Sequence, residues 1–318
     1  MKGRGNRRRS ALPAIDLTTT VGSVVLPNPV MTAAGTAGHG AELRDILDLA
    51  ALGAVVTKSQ APFAWVGNPS PRLHAVPAGM VNAVGLQGAG VGAWMENDLP
   101  PLVATGARVV ASIWGHTVDD YAEAALLLAD APAAVVAVEV NLSCPNHHGK
   151  GMFAQSADAT HDAVAAASAC RRPRWAKLTA MVTDLTEIAG AAREGGAEAV
   201  VLINTLPAMV IDVDRRRSAL GAPVGGLSGG AIHPVAVRAV HDVHAALPAL
   251  PIVGVGGVTD ATTAVELMLA GASAVQMGTA TFADRRAAAA VVADLARWCV
   301  DRDVRRVADL IGGAHGHA

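Results

Sequence analysis

Residues 138–146, VEVNLSCPN, concentrate the residue types that do chemistry. The run 135–140 is apolar except for Glu139 and reads as a buried strand. Pro145 marks where regular structure must stop. Asn141, Ser143, Cys144 and Asn146 therefore stand at or just past a strand end: two carboxamides, a hydroxyl and a thiol. A thiol placed there is a candidate base or nucleophile, with an inert buried cysteine as the structural alternative. His147 and His148 follow the proline turn as candidate partners. A metal centre of Cys144, His147 and His148 is disfavoured, because the other strand ends lack carboxylate or histidine ligands.

Lys58 and Lys177 end two further apolar runs. A lysine in that position must meet water or an anion, since an unpaired buried ammonium is costly. A wet rim would satisfy both equally well. Asn82, Asn141, Asn146 and Asn204 supply paired donors and acceptors, which suits a flat, amide-containing heterocycle. GVGGVTD at 254–260 and MGTA at 277–280 are short glycine turns after two late strands. Backbone N–H groups there, beside a helix N-terminus, favour an anion, most commonly a phosphate.

These residues need a frame that gathers strand ends. Strands are expected at 30–34, 54–57, 107–113, 135–140, 174–178, 199–203, 252–255 and 273–277. Helices are expected at 42–51, 119–129, 157–169, 184–194, 234–246, 261–270 and 285–298, with a short one at 304–311. Such alternation predicts an α/β fold, a (β/α)8 TIM barrel. An open doubly wound sheet is the alternative, but no GxGxxG follows the first strand. Residues 17–21 and 24–26, flanking Gly22-Ser23, predict a small N-terminal hairpin on the barrel floor. The segments 59–100 and 206–233 read as long irregular loops over the C-terminal face, and loops of that length are usually functional. On that face the barrel would gather Lys58, Asn141, Cys144, Asn146, Lys177, Asn204, Thr205, Gly256, Gly257, Gly278 and Thr279, with Asn82 from the first loop.

Composition bounds the answer. The chain has 318 residues, 52% hydrophobic and 16% charged, enough for one large barrel. We expect a disordered basic tail at 1–12 and a single barrel domain at 13–318. A net charge of −2 argues against a general nucleic-acid surface. Three cysteines, Cys144, Cys170 and Cys299, without CxxC spacing exclude a disulfide framework and a zinc or iron–sulfur pattern. No long apolar segment follows the basic start, and no apolar run is long enough to span a bilayer, so a cytoplasmic protein without membrane partners is expected.

Nine pieces in order carry a family resemblance: NPVMTAAGT at 28–36, VVTKS at 55–59, GNPSPR at 67–72, NAVGLQ at 82–87, VEVNLSCPN, INT at 203–205, GGLSGGAIHP at 225–234, VGVGGV at 253–258 and QMGT at 276–279. From about residue 17 to residue 311 the chain resembles the class 1 dihydroorotate dehydrogenases, FMN-containing barrels of pyrimidine biosynthesis. The resemblance implies that Cys144 is the base that removes the C5 proton of dihydroorotate while the C6 hydride passes to N5 of FMN. It places Lys58 between flavin and substrate. It implies a substrate set of Asn82, Gly85, Leu86, Asn141, Asn146, Asn204 and Thr205, and puts Lys177 at the N1/O2 edge of the flavin. Gly256, Gly257, Gly278 and Thr279 would form the phosphate turns, and Ala34, Gly35, Ser59, Asn141, Ile203 and Gly229 would complete the cofactor site. Class 2 enzymes use a serine base, so Cys144 argues for class 1.

GKGMFAQS at 149–156 resembles subtype 1B. That subtype implies a homodimer of barrels within a heterotetramer, whose partner subunits carry FAD and a [2Fe–2S] cluster and pass electrons to NAD. The sequence departs from the family at Gly88-Ala89-Gly90, Trp114, Thr179-Ala180-Met181 and Gly230. These positions are expected to surround the flavin and the substrate cover. They leave open a divergent FMN oxidoreductase with another cyclic amide or acceptor, and a silent barrel that only binds FMN or a protein partner.

Overall fold

The computed structural model describes residues 15–143 and 151–316. The expected tail at 1–12 lies outside them, as do Cys144, Asn146, His147 and His148. Eight short strands form one parallel sheet: β1 (Val30–Thr32), β2 (Val55–Val56), β3 (Val109–Ile113), β4 (Val135–Asn141), β5 (Arg174–Lys177), β6 (Ala199–Leu202), β7 (Ile252–Val255) and β8 (Ala274–Met277). Their spatial order is their chain order, with β8 beside β1. A parallel bridge between Met31 and Ala54 joins β1 to β2 and closes the barrel. The strands are near-continuous apolar runs because helices cover one face and the barrel interior the other.

Side chains alternate between those faces. Val138 and Val140 of β4 belong to the outer core beneath the helices. Ala137 belongs to the inner cluster with Met31, Val110, Trp175, Val201 and Val253. Glu139 and Asn141 share the parity of Ala137 and so face inward too. The hairpin Thr19–Val21/Val24–Leu26 closes the floor, burying Val21 and Leu26 in the same inner cluster. Ser23 ties it down, donating through N–H and Oγ–H to Glu198 Oε2 at 2.8 and 2.6 Å.

Two expected helices are absent. Residues 42–51 form turns and a single 3-10 turn at Leu49–Ala51. Glu42 accepts from the N–H groups of His39 and Gly40, and Asp48 from that of Ala50. Such local bonds compete with a helix too short to propagate unaided. Residues 304–311 hold only the 3-10 turn Val307–Leu310.

The two long loops are also more regular than expected. The first contains the hairpin Leu73–Val76/Gly79–Asn82 and the helices Val91–Asn97 and Leu99–Val103. The second contributes Leu206–Ala208 and Gly225–Ser228. The order Leu206–Ala208, Gly225–Ser228, Gly79–Asn82, Leu73–Val76 makes one antiparallel sheet over the C-terminal mouth.

Candidate active site

Between this cover and the strand ends lies a cavity of about 540 Å³. Each barrel strand but β3 sends residues to its lining. β1 leads to Ala34 and Gly35, β2 to Lys58 and Ser59, β4 to Asn141 and Ser143, and β5 ends in Lys177. β6 leads to Ile203, Asn204 and Thr205, β7 to Gly256-Gly257, and β8 to Gly278-Thr279. The cover adds Asn82, Gly85, Leu86 and Gly229. Every residue that the sequence reading assigned to substrate or cofactor lines this one space, except Cys144 and Asn146, which lie outside the described residues. Ser143, the neighbour of Cys144 in the chain, is part of the lining.

The polar floor is a single hydrogen-bonded chain. Asn204 Nδ2 donates to Asn141 Oδ1 at 3.2 Å, and Asn141 Nδ2 donates to Ser59 Oγ at 3.2 Å. Ser59 and Ser112 hydroxyls meet at 2.8 Å, and Ser112 Oγ–H donates to Glu139 Oε1 at 3.2 Å. A carboxylate only accepts, so each proton in the series points toward Glu139 and the Asn141 amide is fixed with Oδ1 toward Asn204. Glu139 is completely buried and also takes a 2.8 Å bond from Gln276 Nε2. Lys177 Nζ lies 3.5 Å from Glu139 Oε1, an ion pair beneath the cavity floor. Sequence reasoning treated Glu139 as a break in a strand and missed Ser112 and Gln276. The signal was there: Glu139 stands two residues before Asn141, on the same face.

At the other end of the cavity the glycine turns are shaped by their packing. Gly257 has φ +70°, and a Cβ on it would approach His233 Cβ to 2.6 Å, so the position excludes side chains. His233, buried and also missed from sequence, donates through Nδ1 to the Gly256 carbonyl at 2.7 Å. Its Nε2 meets Glu266 Oε2 at 3.2 Å, tying the turn to the helix Ala261–Leu269. Thr279 Oγ1 donates to Ser228 Oγ at 2.7 Å, linking the β8 turn to the cover. Asp260 caps the helix after the β7 turn. The Thr263 N–H above all, opposed by partial burial, holds its carboxyl below the usual carboxylate range.

The residues that depart from the family pattern do not line the cavity. Trp114 is buried with Ala61, Phe63, Trp65 and Leu86, in edge-to-face contact with both aromatic neighbours. It therefore packs behind the Leu86 turn, whose Gly85 carbonyl accepts from Trp65 Nε1 at 3.0 Å. Gly88 pairs with Trp65 through an isolated antiparallel bridge. Met181 is exposed, and Gly230 opens the 3-10 turn Gly230–Ile232. Trp114 thus lies against the cover, as expected of these positions, while Met181 faces solvent. Cys170 and Cys299 are buried outside the cavity, and desolvation raises both thiols above their ordinary range.

Comparison with known proteins agrees with this arrangement. A family model described as dihydroorotate dehydrogenase matches residues 16–298. The chain is similar to the catalytic subunit of dihydroorotate dehydrogenase B (NAD(+)) of Desulforudis audaxviator, 46% identical over 301 residues, covering 93% of this chain and 96% of that protein. The same-named subunit of Geobacter sulfurreducens is 42% identical over 299 residues, covering 93% and 97%. That of Trichlorobacter lovleyi is 42% identical over 302 residues, covering 94% and 99%.

Proposed function

Because the chain belongs to the dihydroorotate dehydrogenase family, we propose that it oxidises (S)-dihydroorotate to orotate in pyrimidine biosynthesis as the class 1B catalytic subunit, with Cys144 as base. The observation that carries the reading is the convergence of Lys58, Asn82, Asn141, Asn204, Thr205 and Lys177 on one cavity of about 540 Å³. That volume is in the range of small-molecule and cofactor sites.

The donor set fits a flavin nucleotide. Gly229, Gly256, Gly257, Gly278 and Thr279 form a side-chain-poor end suited to a phosphate. Ala34, Gly35, Ser59 and Ile203 flank the middle, and Lys177 supplies a cation beside the floor. When bound, FMN supplies the hydride acceptor. The chain's own residues do the rest. Asn82, Asn141, Asn204 and Thr205, with Asn146 and the Gly85-Leu86 turn, orient the planar substrate through amide pairs and backbone groups. Lys58, which lines the cavity, would lie between flavin and substrate. Cys144 accepts the C5 proton, and Ser143 next to it borders the same space. Trp114, Gly88 and Met181 do not line that space, which is consistent with dihydroorotate as substrate.

The name shared by the relatives supports NAD as final acceptor, reached through a partner subunit; we extend the reading to FAD and a [2Fe–2S] cluster on that partner. Leu73, Val224 and Phe282 leave an exposed apolar rim on the cavity, which supports a protein surface there. We extend the reading to a homodimer of barrels within a heterotetramer, in the cytoplasm. Among the described residues no helix is long and apolar enough to cross a membrane.

The test is an anaerobic visible spectrum before and after dihydroorotate is added. Bleaching of the flavin band is expected. A flavin band that dihydroorotate leaves unchanged would overturn the substrate, and failure to bind FMN on reconstitution would overturn the cofactor.

A further inference from the structure

We propose that Glu139 is a positioning and charge-balancing residue: it holds the Lys177 ammonium at the cavity floor and offsets its field, so that the pair, not the lysine alone, sets the electron affinity of the bound flavin. The inference rests on the reading that Lys177 borders the flavin.

Four observations carry it. Glu139 is completely buried in the barrel interior, where a lone carboxylate would be too costly to keep. Its neighbours are all donors: Lys177 Nζ at 3.5 Å, Gln276 Nε2 at 2.8 Å and Ser112 Oγ at 3.2 Å. Gln276 gains nothing else for its side chain, since its Oε1 has no hydrogen-bond partner among the described residues. A glutamine kept wholly buried with half its amide unsatisfied is explained by the carboxylate it supports. The pair is also placed asymmetrically. Lys177 lines the cavity, whereas Glu139 lies behind it and does not.

The consequence is electrostatic. A cation bordering the flavin stabilises negative charge on the reduced ring. A carboxylate 3.5 Å behind that cation subtracts from its field, and does so strongly because water is excluded from the interior. The two residues should therefore have opposite effects on the same equilibrium. A residue needed only for folding would have no preferred sign.

The experiment measures the midpoint potential of FMN bound to the full chain, together with the affinity of the oxidised flavin for sulfite, an anion that adds to the ring. Glu139→Gln keeps the size and hydrogen-bonding shape and removes the charge. It should favour the reduced flavin by about tenfold, about 30 mV for a two-electron couple, and tighten sulfite binding by about tenfold. Lys177→Gln should move both quantities the other way. The double variant, which leaves neither charge alone in the interior and so serves if a single variant does not fold, should return toward wild type. A Glu139→Gln potential that is unchanged or lower, or a double variant whose potential equals that of Lys177→Gln, overturns the role of Glu139. If Lys177→Gln also leaves the potential unmoved, the placement of Lys177 beside the flavin fails, and the inference falls with it.

Discussion

The two ends of the barrel interior are made by the same strands and have opposite characters. Toward the N-terminal end, the inward residues are Met31, Val110, Ala137, Trp175, Val253 and Ala274, sealed below by Val21 and Leu26 of the hairpin. One inward step toward the C-terminal end, β3, β4, β5 and β8 present Ser112, Glu139, Lys177 and Gln276 instead. A further step along β4 reaches Asn141 and the cavity. The switch from apolar to polar occurs within two residues of strand. The floor can be apolar because these residues line no part of the cavity, and they serve packing. The layer above it must hold charge out of water, and does so by turning the donors of Lys177, Gln276 and Ser112 onto Glu139. Stability and chemistry are thus stacked along one axis.

The sharpest way to break this comparison is to remove chemistry without touching the floor. Cys144→Ala should leave FMN content and thermal stability as in the wild type. Reduction of the flavin by dihydroorotate, followed by anaerobic stopped flow, should slow by about 10²–10⁴-fold, the usual worth of a positioned base. Unimpaired reduction would show that another group takes the proton.

The converse variant is Trp175→Ala. The indole is completely buried two residues below Lys177 on β5. Its loss should lower unfolding free energy by about 3–5 kcal/mol, read from denaturant titration. Flavin reduction per folded, flavin-loaded molecule should stay near wild type. A large fall in that rate at normal stability would mean that the floor and the mouth are not separable.

How much of this was legible follows from the same geometry. The strands were readable because both of their faces are buried, which leaves continuous apolar runs. The site residues Lys58, Asn141, Lys177 and Asn204 were readable as polar interruptions where those runs end. Glu139 was misjudged because its meaning depends on which face it takes, and parity matters only once the barrel closes. The cover was read as irregular because its pairings are remote in sequence: Asn82 pairs with Gly226 and Val81 with Leu227. No local pattern announces such a partner. The partners of Trp114 were illegible for a similar reason, since Phe63 and Trp65 come from a distant loop. The helix expected at 42–51 failed on local grounds, because the side chains of Glu42 and Asp48 took the backbone donors.

The smallest expected effect concerns the rim, where the helix Ala261–Leu269 begins just after the Gly256-Gly257 turn. Asp260 Oδ1 accepts from the Thr263 N–H at 2.8 Å, and Thr263 Oγ1 accepts from the Asp260 N–H at 3.1 Å, a reciprocal cap. Asp260→Ala should cost about 1 kcal/mol at neutral pH. For a chain of this size that lowers the thermal midpoint by roughly 1–3 °C. The pH dependence has a definite sign. Chiefly because of the Thr263 N–H, the folded pKa of Asp260 lies below 3.8. The ionised cap therefore contributes fully above the unfolded value and is lost as pH falls through the folded one. The difference in midpoint between wild type and Asp260→Ala should be constant from pH 7 to about pH 5 and should close at lower pH. Flavin reduction should not change, because the carboxylate points into its own helix and not into the cavity. If the difference persisted unchanged at low pH, the cap would be acting through backbone geometry and not through charge. If instead the reduction rate fell, the rim would belong with the polar layer on the chemical side of the barrel's division.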